Sequence, residues 1–456
     1  MEISELYTLF CEHPVITTDT RDCPTGSIFF ALKGETFDGN LFAAKALEAG
    51  CAYAVVDNAE VAAADARLLL VDDVLTTLQD LAALHRRVLG TPIVQITGTN
   101  GKTTTKELTA AVLAAQYNVL FTQGNFNNHI GVPKTLLRLT ADHDIAVVET
   151  GANHPGEIAL LSRIVDADCG LITNVGKAHL EGFGSFEGVI ATKSELYDYL
   201  RSKAVEAAAA EASTDDEDAE VSAAAPFVFL HADNEWLPSR AEGLEAVTYG
   251  AVGKGYDVEG EVIYCTPFLR LRWRTKDGDW QEVQTQLIGA YNIDNVLAAA
   301  AVGTHFGVAP EQVSRALTEY RPSNSRSEFR RTERNRLIVD AYNANLSSMH
   351  AALENFRLIE DAHKMMILGD MRELGTASAA AHQEVADLAA TTGCEALWFV
   401  GANFAAVEPA ETSAVVRHFA NVDEVKEALA AAPLADRLIL IKGSNGTKLF
   451  QLPELL

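Results

Sequence analysis

Lys102 and Thr103 close a glycine-rich turn in the stretch VQITGTNGKTTTKEL, Val94 to Leu108. The apolar run IVQI before the turn reads as a buried strand. The run KTTTKELTAAVLAA after it reads as a helix with Leu108, Val112 and Leu113 on one side. Strand, glycine-rich turn and helix is the setting of a phosphate-binding loop, in which backbone N–H groups and the positive end of the helix face phosphate oxygens. The spacing predicts that Gly98, Thr99, Asn100, Gly101, Lys102, Thr103 and Thr104 hold a nucleoside triphosphate. Lys102 would reach the β- and γ-phosphates, and the Thr103 hydroxyl would ligate Mg²⁺. The general pattern puts glycine six residues before the lysine, and Ile96 stands there. Taken alone, the loop also suits an ordinary glycine turn before a helix.

Glu149 ends the apolar run of DIAVVETGANHPGEI. A carboxylate at the carboxyl end of a parallel strand beside a phosphate-loop strand can hold a metal directly or through water. His179 follows in a second glycine-rich loop, LITNVGKAHLEGFG, and Lys193 lies in ATKSELY. By residue type alone, His179 reads as structural and Lys193 as a surface lysine. Asn292 and Asn295, in YNIDN, lie one helical turn apart and can face one ligand or cap a helix.

These residues need a frame. The chain is predicted to be an α/β protein of three domains. Residues 1–88 read as a small α/β unit with short apolar runs such as GSIFFAL and AYAVVD; the Gly and Pro of LGTPIV mark its end. Residues 89–321 alternate strands (IVQIT, IAVVET, CGLITNV) with helices, which predicts a mainly parallel sheet around the ATP-binding loop. Residues 322–456 restart the alternation with RLIVDAYN, KMMILGD, ALWFVGA and RLILIKG, the grammar of a doubly wound, Rossmann-like domain. The stretch 206–226, EAAAAEASTDDEDAEVSAAAP, is an acidic low-complexity insertion expected to be a solvated loop, partly helical.

Composition narrows the class. Among 456 residues, 36 Lys and Arg face 63 Asp and Glu, a formal charge of -27, which disfavours nucleic-acid binding. That charge suits a salt-rich cytosol as well as an ordinary acidic enzyme. The six cysteines form no C-x-x-C pair, so neither a zinc site nor a disulfide framework is suggested. MEISELYTLF has no basic region or apolar signal core, and no stretch is apolar for long enough to insert in a membrane. A cytoplasmic, monomeric enzyme is the expectation.

In combination, GTNGKTT, GNFNNHIGVPKTLL, ETGANHPGEI, NVGKAHLEGFGSFEGV with KSELY, YNIDNVLAAAAVG, DAYNANLSSM and LGDMRELG resemble the Mur ligases, in order from about Thr17 to Gly443. The block TTDTRDCPTGSIFFALKGETFDG resembles the nucleotide-sugar-binding start of family members. The resemblance implies an ATP-dependent amide ligase that works through an acyl phosphate and joins D-alanyl-D-alanine to a UDP-N-acetylmuramoyl-tripeptide. It implies catalytic roles for Lys102, His179 and Lys193. Thr103 and Glu149 would ligate magnesium, His179 would sit near a second magnesium, and Lys193 would be a carbamate able to ligate a metal. Asn292 and Asn295 would lie by the adenine, Arg326 near the ATP phosphates and Asp340 at the ribose. Asn343 and Asn345 would lie near the dipeptide. Asp19, Thr20, Arg21, Lys33 and Gly34 would hold the UDP end, with Asn128 and Asn153 also on the substrate. Thr150 departs from the family, where Met is frequent, and the usual basic run after KGS is lost in KGSNGTKLFQLPELL. Another amide ligase, a folylpolyglutamate synthase-like enzyme and a P-loop ATPase are the competing readings.

Overall fold

A computed structural model describes residues 1–176, 180–213, 225–322 and 326–456. It is an α/β protein built on three sheets. The first has four parallel strands in chain order, Ile16–Thr17, Ile28–Phe30, Tyr53–Val56 and Leu68–Leu70. One face of it packs on the helix Val74–Leu89 through Val74, Leu78 and Leu81. That apolar cluster continues without a break into Leu136, Ile158 and Leu161 of the next sheet's helices. The helix starts where the Asp73 carboxylate accepts from the Thr76 N–H. It ends at Gly90, whose φ of 65° suits a residue without Cβ. The position 88/89 proposed as a domain boundary falls in its last turn. There Arg86 pairs with Asp168 at 2.7 Å, so the link across this point is a packed helix.

The second sheet has nine strands in the spatial order Gln281–Ile288, Phe268–Thr275, Val258–Cys265, Glu245–Ala251, Phe227–His231, Cys169–Ile172, Ile93–Thr97, Ile145–Glu149, Val119–Phe121. Only Phe268–Thr275 is reversed, antiparallel to the strand on either side of it; the remaining pairs are parallel. Ile93–Thr97 lies in the interior, with Ile96 in register with Glu149 on one side and Leu171 on the other. It is buried on both faces, which is why IVQI reads as an apolar run interrupted only by Gln95. Four strands between Glu245 and Ile288 extend the sheet beyond the three strands read from sequence.

The third sheet orders its six strands as Glu328–Arg331, Arg336–Asp340, Leu438–Lys442, Lys364–Gly369, Ala396–Val400, Val415–Phe419. All are parallel except the first. Leu346–Leu358 and Ser378–Ala390 cover one face, and Val422–Ala431 covers the other. This is a doubly wound domain with apolar cores on both faces. The insertion begins in a helix, since Phe186–Ser213 runs into it; residues 214–224 lie outside the described residues. No helix among the described residues is long and apolar enough to cross a membrane.

Candidate active site

The turn between Ile93–Thr97 and the helix Lys102–Leu113 is shaped by two glycines. Gly98 has φ +141°, and a Cβ there would sit 2.1 Å from the Thr173 hydroxyl; Gly101 has φ +79°, and a Cβ would sit 2.4 Å from Asn295 Oδ1. Both conformation and space therefore demand glycine. The Asn100 N–H donates to Asn174 Oδ1 at 3.0 Å, which ties the turn to the next strand's end. Lys102 Nζ folds back on the turn and donates to the carbonyls of Gly98 (2.8 Å) and Thr99 (3.0 Å). Burial lowers its pKa to about 8; Glu149 opposes that shift and the Arg326 charge adds to it. An anion at the turn would restore the ammonium form.

Beside the lysine, the Thr103 hydroxyl donates to Glu149 Oε2 at 2.9 Å, and Asn127 Nδ2 donates to Oε1 at 2.8 Å. The Glu149 N–H is held by Thr122 Oγ1 at 2.9 Å. Thr103 is 2% and Glu149 1% exposed. Among the described residues no trio of His, Cys, Asp or Glu forms a metal cage. One carboxylate plus one hydroxyl fits a magnesium ion that draws its remaining ligands from phosphate oxygens and water. Lys193 is 2% exposed; its Nζ donates to the Ala152 carbonyl at 3.3 Å and lies 5.3 Å from the centre of the Phe183 ring. Burial, then the nearby Lys102 charge, lower its pKa to about 7. It is therefore a buried amine, not the surface lysine that its residue type suggested. His179 lies outside the described residues.

Lys102, Asn127 and Glu149 open into a cleft of ≈ 810 Å³ walled by the central and C-terminal domains. Asn292 and Asn295 line it together, linked by Asn295 Nδ2 donating to Asn292 Oδ1 at 2.8 Å. Asn292 makes no capping bond; its Nδ2 donates instead to the Ile288 carbonyl. The far wall brings Arg326, Asp340, Asn343 and Asn345 to the same space, and Asn128 and Asn153 line it as well. Asn345 caps the helix Leu346–Leu358 by accepting from the Ser348 N–H. Its Nδ2 also donates to Asn100 Oδ1 at 2.8 Å, while Asn100 Nδ2 donates to Ser347 Oγ at 3.2 Å. The phosphate loop thus touches the C-terminal domain directly.

The N-terminal set is not part of this cleft. Arg21 pairs with Asp19 in its own loop at 2.6 Å, and Lys33 pairs with Asp57 at 2.8 Å; Thr20 and Gly34 are neighbours of these residues and line no part of the cleft.

Three family models match in succession: the Mur ligase family catalytic domain over 14–86, the Mur ligase middle domain over 96–303 and the Mur ligase glutamate ligase domain over 325–445. A UDP-N-acetylmuramoyl-tripeptide–D-alanyl-D-alanine ligase of Bacillus subtilis is 33% identical, over 95% of this chain and 91% of that protein. The chain belongs to the Mur ligase family. The Escherichia coli protein of the same name is 34% identical over 94% of this chain and 90% of its own length. The crystal structure of MurF from Acinetobacter baumannii superposes with a TM-score of 0.81 at 30% identity, covering 96% of this chain and 92% of that one. The MurF ligase of Thermotoga maritima, solved in complex with ADP, shares the fold with a TM-score of 0.80 at 22% identity and covers 97% and 96%.

In this Mur ligase two site residues escaped the sequence reading. Lys442 is buried and donates to Asp340 Oδ2 at 2.5 Å. The sequence offered only two strand ends, RLIVD and RLILIK; that the strands are parallel neighbours, with Asp340 in register with Lys442, is a property of the sheet. Asn127, one residue before the chosen Asn128, holds Glu149, whereas the Asn128 side-chain oxygen accepts from the N–H groups of Ile130 and Gly131. Thr150, the departure from the family pattern, accepts from the buried Gln95 amide at 3.1 Å. Its hydroxyl thereby takes one of the two amide hydrogens of Gln95, the other going to Ser162 Oγ at 3.0 Å, and a methionine would leave that hydrogen without an acceptor.

Proposed function

We propose that this Mur ligase is an ATP-dependent amide ligase that joins D-alanyl-D-alanine to UDP-N-acetylmuramoyl-tripeptide, giving a pentapeptide precursor of peptidoglycan in the cytoplasm, as a monomer. The observation that carries the reading is the convergence of Lys102 and Glu149, the latter hydrogen-bonded by Thr103, with Asp340 and Asn345 on one cleft between two domains. Similarity over nearly the whole length to ligases of that name supports the substrates.

The chemistry follows from charge. The tripeptide carboxylate attacks the γ-phosphorus of ATP; the new P–O bond forms as the bond to ADP breaks, leaving an acyl phosphate. The amine of the dipeptide then attacks the acyl carbon, phosphate departs, and the nitrogen loses a proton. The first step brings two anions together, so positive charge and alignment dominate the barrier. The Lys102 ammonium, the N–H groups of residues 98–104 and Arg326 supply charge around the phosphates. Magnesium, held by Thr103 and Glu149 with His179 near a second ion, would neutralise phosphate oxygens. Asn292 and Asn295 flank the adenine, and Asp340, oriented by Lys442, faces the ribose. Asn343 and Asn345 face the dipeptide; Asp19, Thr20, Arg21, Lys33 and Gly34 hold the UDP end, and Asn128 and Asn153 the peptide. The bonds from Asn100 to Asn345 and Ser347 bring the C-terminal wall onto the phosphate loop, which excludes the water that would hydrolyse the acyl phosphate. Lys193 takes up CO₂ as a carbamate, because its buried amine is substantially neutral near pH 7.

Phosphate release with ATP and Mg²⁺ tests the reading, with both substrates together and each alone, followed by product mass. Turnover that needs both, with a mass gain of one dipeptide less water, is expected. Turnover indifferent to both would make the protein a P-loop ATPase instead.

A further inference from the structure

The Arg326 guanidinium carbon lies 4.0 Å from the centre of the Tyr342 ring, and both side chains line the cleft with Lys102. Carboxylates close to it in the chain and at the site are already committed: Glu328 to Arg330 at 2.7 Å and Asp340 to Lys442 at 2.5 Å. Arg326 Nε is buried and has no hydrogen-bond partner among the described residues. Across the cleft Lys102 lines the same space. Two cations thus face one space, a mutual repulsion that an anion between them would relieve. The next residue, Ser327, has φ 52°, and its hydroxyl meets the Tyr291 hydroxyl at 2.9 Å, so the backbone beside Arg326 is anchored.

We propose that Tyr342 is a positioning residue: its ring face holds the Arg326 guanidinium over the phosphate end of the cleft and leaves its charge free for the terminal phosphate of the nucleotide. A carboxylate in that place would orient the arginine but cancel its charge. An aromatic face attracts the cation through its quadrupole and adds no net charge. Tyr342 stands two residues beyond the strand Arg336–Asp340, so the sheet sets where the ring begins. Its hydroxyl is not needed for this role; the π face is. The inference rests on the ligase reading, which supplies the nucleotide.

The test is calorimetric binding of AMP, ADP and the β,γ-methylene analogue of ATP to the full chain with Mg²⁺. Tyr342→Leu is expected to weaken the ATP analogue about 5- to 20-fold and to leave AMP unchanged, with Tyr342→Phe restoring wild-type affinity. In an Arg326→Ala background, Tyr342→Leu is expected to add nothing. If the leucine variant does not fold, Tyr342→Met serves the same comparison. Equal weakening of AMP and the ATP analogue would overturn the proposal, because the ring would then be a base-stacking contact. So would a leucine variant that binds like wild type, or a phenylalanine variant as weak as leucine. A wild-type protein that binds no nucleotide would instead overturn the ligase reading.

Discussion

On the central-domain wall of the cleft, Thr103 and Glu149 are almost wholly buried, and both Glu149 oxygens accept hydrogen bonds from its neighbours. On the C-terminal wall, Asn343 is exposed, Arg326 is half-buried with Nε unpartnered among the described residues, and Asn345 spends one amide hydrogen bond on a different domain. The first wall is set before any substrate arrives. The second is completed by what it touches: the other domain, or a ligand. Chemistry that must place charge to within tenths of an ångström belongs on the first wall, and capture and closure belong on the second. Substitutions on the two walls should therefore separate kinetically, the first lowering kcat and the second raising KM.

The sharpest break in that comparison is Lys102→Met. It is expected to lower kcat about 1,000-fold, because among the described residues no other ammonium reaches the turn carbonyls and the charge proposed for the γ-phosphate would be lost. Steady-state phosphate release measures it, and a loss confined to KM would put Lys102 with the capture groups. Glu149→Gln should lower kcat about 100-fold and move the Mg²⁺ requirement to higher concentration. A magnesium titration of activity decides, since an unchanged midpoint would remove Glu149 from the metal.

The buried amine of Lys193, held against the Ala152 carbonyl, predicts a pH dependence. Burial disfavours the charged form, so the Lys193 pKa falls to about 7 from 10.5, and the neutral amine that CO₂ requires grows as pH rises through about 7. In CO₂-stripped buffer with limiting bicarbonate, activity should fall about tenfold per pH unit below that point. A ¹³C-carbamate resonance should appear with labelled bicarbonate in wild type and be absent from Lys193→Arg. A resonance that survives the substitution would assign the carbamate elsewhere.

The smallest effect belongs to the C-terminal wall. Asn345→Ala removes the helix cap and the bond to Asn100, and should lower stability by about 1 kcal/mol and raise the dipeptide KM about tenfold with little change in kcat. Asn345→Asp keeps the capping oxygen but loses the amide donor. Thermal melting should recover in that variant while KM stays high. Recovery of both would show that the cap alone matters and that the cross-domain bond is incidental.

Much of this protein was legible as text where function demanded local geometry. Gly98 and Gly101 mark positive φ, Lys102 and Thr103 follow in sequence, and Glu149 ends an apolar run at the carboxyl edge of a parallel sheet. The alternation of apolar runs and helices disclosed the doubly wound C-terminal domain for the same reason: period and turn chemistry are local properties. The four strands from Glu245 to Ile288 were harder to read. FLRLRWRT alternates, but its outward arginines pair with glutamates on neighbouring strands, at Glu259, Glu261 and Glu282, and such pairing has no signature within one segment.

What the tertiary structure alone decided are relations between distant residues. Sequence could name Asp340 but not its buried partner Lys442, 102 positions away, because their meeting depends on which strand sits beside which. It could name Asn100 and Asn345 but not that they touch across two domains, nor that Arg326 rests on the ring of Tyr342. By itself the sequence determined the chemistry that each segment offers, since a side chain's functional groups and a turn's backbone demands travel with the chain. The fold decided which groups share a cleft, which are buried enough to shift their pKa and which keep a free charge. Those outcomes follow from packing and desolvation, and both are properties of the assembled molecule.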